Sequence, residues 1–247
     1  MPEKILIEAC CGSADDVVEA EKGGADRVEL NSNLFQGGLT PSLGTLEVVK
    51  EHVKIPVMTM LRPRSGGFCY TDLELDCMLK DGRELLAHGA DGIVFGCLRP
   101  DGTVDEERSR RVIDLAQGKP VVFHRALDVT PDWKRALETL IRLGVTRVLT
   151  SGQAPDVFFA LDTIAEMIRF VDGAIEILPG AGITVQNVRR VVEITGCTQV
   201  HLAHHRTVED PSTKNNRDIY FGGALYPPEM SYSVTDSDYF AAVRGRI

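Results

Sequence analysis

The sequence predicts an α/β chain folded as a single-domain TIM-type (β/α)8 barrel. Three observations predict it. Short apolar runs alternate eight times with stretches that open on helix-capping residues. Gly24, Gly89, Gly144 and Gly196 each close a helix just before every second strand, where a left-handed C′ glycine suits the ending, and they recur every 52 to 65 residues. No GxGxxG follows the first strand, which weighs against a doubly wound open sheet. The barrel is expected over 1–205, with 206–247 as a tail whose last helix completes the same domain.

Taken in order, residues 4–8 form the first strand, and Ser13 caps a helix that carries Asp15 and Asp16 in its first turn, where the helix dipole favours anions. Strand 27–30 leads through a glycine-rich loop, 35–42, to a helix capped by Ser42. Pro56 opens strand 57–61, and Thr71 with Glu74 has capping-box spacing for the next helix. Strand 91–95 precedes a helix over 104–117. Pro120 precedes strand 121–123, whose tip carries His124 and Arg125, with Asp128 close behind. A helix over 130–143 has Pro131 at its first position, where a missing N–H costs nothing. Strand 147–149, a further helix, strand 174–178, helix 184–195 and strand 199–202 complete eight units. In the tail, Pro211, 214–217 and Pro227-Pro228 predict loop, and Thr235-Asp236 caps a helix over 237–244. Its aromatics, Tyr220, Phe221, Tyr226, Tyr232, Tyr239 and Phe240, either cover the barrel or meet a second copy of the chain in a homodimer.

With 43% hydrophobic residues, the 247-residue chain can bury a large core. Its net charge of -9 argues against nucleic acid and anionic membrane as partners, which call for basic surface. No apolar run approaches a membrane span and no basic-then-apolar start resembles a signal peptide, so a cytoplasmic location is expected. Six scattered cysteines without a CxxC pair fit free thiols in a reducing compartment. Adjacent Cys10 and Cys11 point to opposite faces of an extended chain.

Barrel chemistry gathers at the C-terminal strand ends. Those ends carry Glu8, Glu29, Arg62, Arg64, Cys97, His124, Arg125, Asp128, Thr150, Ser151, Gly180, Gly182 and His201. Period-two alternation places Met58, Met60 and Arg62 on one face, Val122 with His124, and Leu6 with Glu8. Glu8, Glu29, Arg62, His124, Arg125 and Asp128 are therefore candidate catalytic groups, with an ion-paired plug of the barrel mouth as the plain alternative. Gly180-Ala181-Gly182 resembles a phosphate-binding turn, with Thr184 starting the next helix. Arg64 and Thr150-Ser151-Gly152 would add donors for the anion. For a metal, Cys10 and His201 are the candidates. His201, His204 and His205 follow the eighth strand, which neighbours the first in a closed barrel, and thiolate with imidazole suits Cu(I) or zinc.

At these residues the chain resembles the CutC copper-homeostasis family. The matching stretches are Glu8 with Cys10, 23–30 (GGADRVEL), 37–42 (GGLTPS), Arg62-Pro63-Arg64, 89–92 (GADG), 123–126 (FHRA), Asp128, 149–152 (LTSG) and His201. The resemblance covers about 5–201. It implies a cytosolic TIM barrel linked to copper handling, with Cu(I) bound through cysteines. Where relatives often carry a second cysteine, after the Glu-Leu of strand two, this chain has Asn31. Their Gly-Asp-Phe is Gly66-Gly67-Phe68 here, and their three glycines after strand seven are Gly180-Ala181-Gly182.

Two functions follow from these residues, and whether the chain is an enzyme stays open between them. One is copper handling, with Cu(I) as ligand. The alternative is a phosphate-binding-type barrel enzyme doing acid–base chemistry on a small anionic or phosphorylated metabolite. His124 would then titrate near neutrality, Glu8 or Glu29 would be its partner base, and the arginines would hold the anion.

Overall fold

The structure is a computed structural model that describes residues 4–222 and 229–247. Tyr226 and Pro227-Pro228 lie outside the described residues. Eight short strands form one parallel sheet among the described residues: β1 (Leu6–Cys11), β2 (Arg27–Leu30), β3 (Val57–Met60), β4 (Gly92–Phe95), β5 (Val121–Phe123), β6 (Arg147–Thr150), β7 (Glu176–Pro179) and β8 (Gln199–Leu202). They run in the order β7-β6-β5-β4-β3-β2-β1-β8. A single parallel bridge, Gly180 to His201, joins the two ends and nearly closes the barrel. A Cβ on Gly180 would sit 2.7 Å from Leu149 Cδ1 and 3.2 Å from His201 Cβ, so only glycine lets the seam come this close.

The helices are α1 (Ala14–Lys22), α2 (Leu43–His52), α3 (Asp72–Ala87), α4 (Glu106–Leu115), α5 (Trp133–Leu143), α6 (Leu161–Val171), α7 (Val188–Thr195) and α8 (Ser237–Arg244). Their starts follow the capping chemistry. The Ser13 side chain accepts from Asp16 N, Ser42 from Thr45 N, and Thr71 with Glu74 makes a full capping box. Three starts differ from expectation. α4 begins at Glu106, after Asp105, whose side chain accepts from Arg108 N. α5 begins after Asp132, whose carboxylate accepts from Lys134 N and Arg135 N, and Pro131 lies outside the helix. α7 begins at Val188, because Thr184 and Asn187 bond each other's backbone and side chains in a turn of their own. β1 runs three residues past Glu8, because Glu8 is paired inside the barrel and does not end the strand.

Two apolar layers result. Between sheet and helices lies the larger one, with Ile7, Leu30, Leu46, Phe95, Phe123 and Leu127 fully buried. Inside the barrel, Met58, Met60, Val94, Val122, Leu149 and Leu178 form a smaller cluster. The rest of the interior is polar: Glu8, Arg27, Glu29, Gln199 and His201 are all buried.

Beyond β8 the tail forms an antiparallel hairpin, β9 (His205–Glu209) with β10 (Ser231–Thr235), an element not expected from the sequence, because β9 is polar at four of its five positions and lacks the apolar alternation of a strand. α8 then packs on α1. Phe240 is fully buried, Thr235 N donates to Asp16 Oδ1 at 2.6 Å, and Arg244 donates to Ile5 O at 2.6 Å. Among the described residues, no helix is long and apolar enough to cross a membrane.

Candidate functional site

Strand register assembles the first group of site residues. β1 pairs with β2 so that Cys10 lies opposite Glu29, and with β8 so that Glu8 lies opposite His201. Glu8 and Cys10, two apart, share the inner face, while Cys11 turns outward and is fully buried under the helices. One ligand atom each from Cys10, Glu29 and His201 come within 4.8 Å of one another. The thiol of Cys10 donates to Glu29 Oε2 at 3.7 Å, and Asn31 Nδ2 donates to the same oxygen at 2.9 Å. The other oxygen, Glu29 Oε1, is buried without a hydrogen-bond partner.

Behind this trio sits an ionic belt. His201 Nδ1 bonds Glu8 Oε1 at 2.8 Å, which leaves Nε2 for the cavity. A carboxylate behind a histidine in this way fixes the ring's tautomer and orientation. The second Glu8 oxygen accepts from Arg27 Nε. Arg27 also donates to Gln199 Oε1 at 2.8 Å, and Gln199 Nε2 to Glu176 Oε2 at 3.1 Å. Arg147 pairs with that same Glu176 oxygen at 2.6 Å. Burial alone would raise the Glu8 pKa, but the His201 hydrogen bond and the Arg27 charge win and lower it to about 2. Burial works against charge on His201 too, yet the Glu8 bond and the Glu29 charge raise its pKa. Glu29 is raised by burial, with His201 opposing, and Cys10 is raised well above its usual value by burial and by Glu29.

Arg62 and His124 sit on the other side of the mouth. Arg62 donates Nη1 to Gln36 O and Gly38 O, both at 3.0 Å, and Nη2 to Gly66 O at 2.7 Å. Its charge therefore ties two loops together. Its Nε is buried without a hydrogen-bond partner. His124 Nδ1 accepts from Ala126 N at 3.1 Å, so the proton is on Nε2. Burial, reinforced by the Arg62 charge, lowers its pKa to about 3. At neutral pH His124 is a fixed neutral donor, in contrast to the titrating group that its position predicts.

The expected anion-binding turns are closed by the protein's own carboxylates. Asp128 accepts from Thr150 Oγ1, from Ser151 N at 3.0 Å, from Ser151 Oγ at 2.8 Å and from Gln153 N at 3.2 Å. It is also paired with Arg125 at 2.9 Å. Gly152 N is spent on Thr150 Oγ1 at 2.9 Å. A Cβ on Gly182 would meet Asp156 Oδ2 at 1.7 Å, so a carboxylate lies against the Gly180-Ala181-Gly182 turn. With α7 starting only at Val188, no helix N-terminus stands behind that turn. Arg64 is turned toward Glu74 and the carbonyls of Ser65, Gly67 and Cys69.

The cavity that remains holds about 600 Å³. Cys10, Glu29, Asn31, Arg62, His124, Arg125, Gly182 and His201 line it, together with Met60, Phe68 and Leu149. His204, whose ring stacks on Tyr239 at 3.7 Å, lies at the same cavity. Glu8, Arg64, Asp128, Thr150, Ser151, Gly152 and Gly180 are behind or beside it. Four polar residues of the belt went unpredicted: Arg27, Arg147, Glu176 and Gln199. The signal was present at period two, since Arg27 precedes Glu29, and Gln199 precedes His201, by two positions on one strand face.

Comparison with known proteins places this architecture. The family model described as the CutC family matches residues 5–206. A family protein CutC from Treponema denticola is 52% identical over 98% of this chain and 98% of that protein. The human copper homeostasis protein cutC homolog is 43% identical, over 94% of this chain and 85% of its own length. A crystal structure of the copper homeostasis protein CutC from Streptococcus agalactiae superposes with a TM-score of 0.77 at 34% identity, covering 80% of this chain and 97% of that one. From β1 through the end of β8, in sequence and in barrel geometry alike, the chain belongs to the CutC family.

Proposed function

We propose that this protein handles copper, taking Cu(I) as cargo at Cys10 and His201 with Glu29 beside them. The observation that carries the proposal is the convergence of thiol, imidazole and carboxyl atoms within 4.8 Å at the barrel mouth. Thiolate and imidazole are ligands that suit Cu(I), and the Glu8–His201 bond supports the imidazole as metal-ligating histidines usually are supported. The unpartnered Glu29 Oε1 fits a site that expects a cation. Relatives named for copper homeostasis support the same choice of metal. We place the protein in the cytoplasm, where its six unpaired cysteines stay reduced.

The test is an anaerobic competition titration with a Cu(I) chelator. It is run in a background where the exposed Cys69 and Cys77 are replaced by serine, so that only interior thiols report. One equivalent should bind, and Cys10→Ser should abolish it. Binding that survives Cys10→Ser ends the proposal. A parallel zinc titration checks the choice of metal, because Cys, His and Glu are also zinc ligands.

A further inference from the structure

A Cu(I) ion fills little of this cavity. At about 600 Å³ it has the size of a small-molecule site, whereas a water-sized guest takes roughly 30 Å³. The ion is also left short of soft ligands. Of the six cysteines only Cys10 lines the cavity. Cys11, Cys97 and Cys197 are buried away from it, and Cys69 and Cys77 are exposed outside it. The side chain beside Cys10 is an amide: Asn31 Nδ2 lies 3.6 Å from the sulfur, and it offers a soft ion nothing. The Glu29 carboxylate is an oxygen donor of the kind that suits harder ions. Met60 brings a thioether to the cavity wall, but it packs into the inner apolar cluster with Met58 and Val94. The protein thus supplies one thiolate and one imidazole, with open space beside them. Farther along the wall stands a cation that a guest can reach. The Arg125 side chain is 42% exposed. Its Nε donates to Asp128 and its Nη2 to Ser151, and Nη1 has no partner among the described residues.

We infer that Cu(I) enters as the complex of a small carboxylate-bearing thiol, and that one such thiol stays in the cavity as the second sulfur ligand beside Cys10. The inference rests on the copper reading above and names the form in which that cargo is taken. Cu(I) comes held by two thiolates of the carrier. The Cys10 sulfur replaces one of them, and its proton leaves on the released thiol. The metal stays Cu(I) throughout, so no electron is exchanged. Cys10, His201 and the retained thiolate then hold the ion, and Arg125 meets the carrier's carboxylate. The carrier is a small molecule because Cys10 stands on the inner face of β1, and the space beside it has small-molecule size.

The experiment uses the full chain with Cys69→Ser and Cys77→Ser, kept anaerobic. Cu(I) is supplied either as its glutathione complex or from acetonitrile, and native mass spectrometry counts copper and glutathione on each chain. The glutathione source should give one copper with one glutathione, and the acetonitrile source one copper alone. Glutathione without copper should not be retained, nor should S-methylglutathione, whose sulfur cannot become a thiolate. Asn31→Cys supplies the second thiolate from the protein, so it should keep the copper and lose the glutathione. Arg125→Gln should weaken glutathione retention roughly 10- to 100-fold, as expected for a hydrogen bond between charged groups. Copper held without glutathione, as a ligating Met60 would give, overturns the inference and leaves the copper reading standing. Glutathione retained equally without copper, or retained by Asn31→Cys, also overturns it. Unchanged retention in Arg125→Gln overturns the carboxylate contact. No copper from either source removes the copper reading and the inference with it.

Discussion

Replacing Glu8 by glutamine removes the carboxylate that joins Arg27 to His201 in the polar interior. The carboxylate is 2% exposed and serves two partners, the Arg27 guanidinium and His201 Nδ1. Its pKa of about 2, against an ordinary 4.5, corresponds to about 3 kcal/mol of stability at neutral pH, at about 1.4 kcal/mol per unit. Breaking a buried pair by removing one partner typically costs about 3–5 kcal/mol, since the other charge stays buried alone. Glu8→Gln should therefore lose about 3 kcal/mol in urea unfolding of the metal-free protein, and melt roughly 6–12 °C lower. The pH dependence supplies the sharper check. A depressed carboxyl pKa stabilises above the unfolded value and loses that contribution as pH falls toward the folded one. The gap between wild type and variant should thus be full above pH 5 and close between pH 5 and 2. His201 acts in the opposite sense: its raised pKa stabilises below the unfolded value near 6.5 and fades as pH rises through the folded value. A loss below about 1 kcal/mol, or a gap that stays constant from pH 5 to 2, would refute the account of Glu8 as keystone. The same variant should weaken Cu(I) binding roughly 10- to 100-fold by releasing His201 from its orienting partner.

Three further substitutions probe other links. Ala181 holds φ +83°, a left-handed conformation costing a non-glycine residue roughly 1–2 kcal/mol. Ala181→Gly should stabilise by about 0.5–1 kcal/mol in urea unfolding after glycine's larger unfolded-state entropy is subtracted, and a net loss would refute the strain. Gly96→Ala places a methyl 2.3 Å from His124 Cε1 and 2.7 Å from Ala126 Cβ, so it should cost about 1–3 kcal/mol and shift the His124 NMR signals; unchanged signals would contradict the packing. Asn31 Nδ2 lies 3.6 Å from Cys10 Sγ, so Asn31→Cys brings a second thiol to the first. Chelator competition should then show Cu(I) held roughly tenfold tighter or more, about 1.4 kcal/mol, and an unchanged affinity would argue against a soft-ligand site.

Much of the barrel was legible because its strands are short, apolar and punctuated by glycine. β2, β5 and β8 carry the predicted bounds, and Ser13, Ser42 and Thr71 cap as their side-chain chemistry dictates. Candidate residues on β1, β2 and β8 meet because period-two alternation and parallel pairing suffice to bring Glu8, Cys10, Glu29 and His201 together. What stayed hidden depends on distant partners. Nothing near Ser151 reveals that its donors go to Asp128, 23 positions earlier, nor does Gly182 announce Asp156. A neutral His124 is likewise a property of depth and of Arg62, and local sequence carries neither. Charges inside strands misled in two ways: Glu8 looked like a strand end, and Arg27 and Arg147, placed at the starts of their strands, were not named among the site residues, because an ion deep in a barrel is tolerable only with partners from other strands.

The belt of Glu8, Arg27, Gln199, Glu176 and Arg147 bears on how the chain finds a single way to close. Strands of a parallel barrel are covered on both faces, so hydrophobicity does not tell the inner side of β5 or β7 from the outer. Sliding one strand by a single residue exchanges its two sides at little apolar cost. For β1, β2 and β8 the exchange is prohibitive, because it would press Glu8, Arg27 and Gln199 into the helix layer, where Ile7, Val28 and Val200 now pack. The charges thereby act as a proofreading device for strand register. Because the seam beside β8 is stitched by one backbone bridge, they bind the barrel shut at the place where its ladder is thinnest.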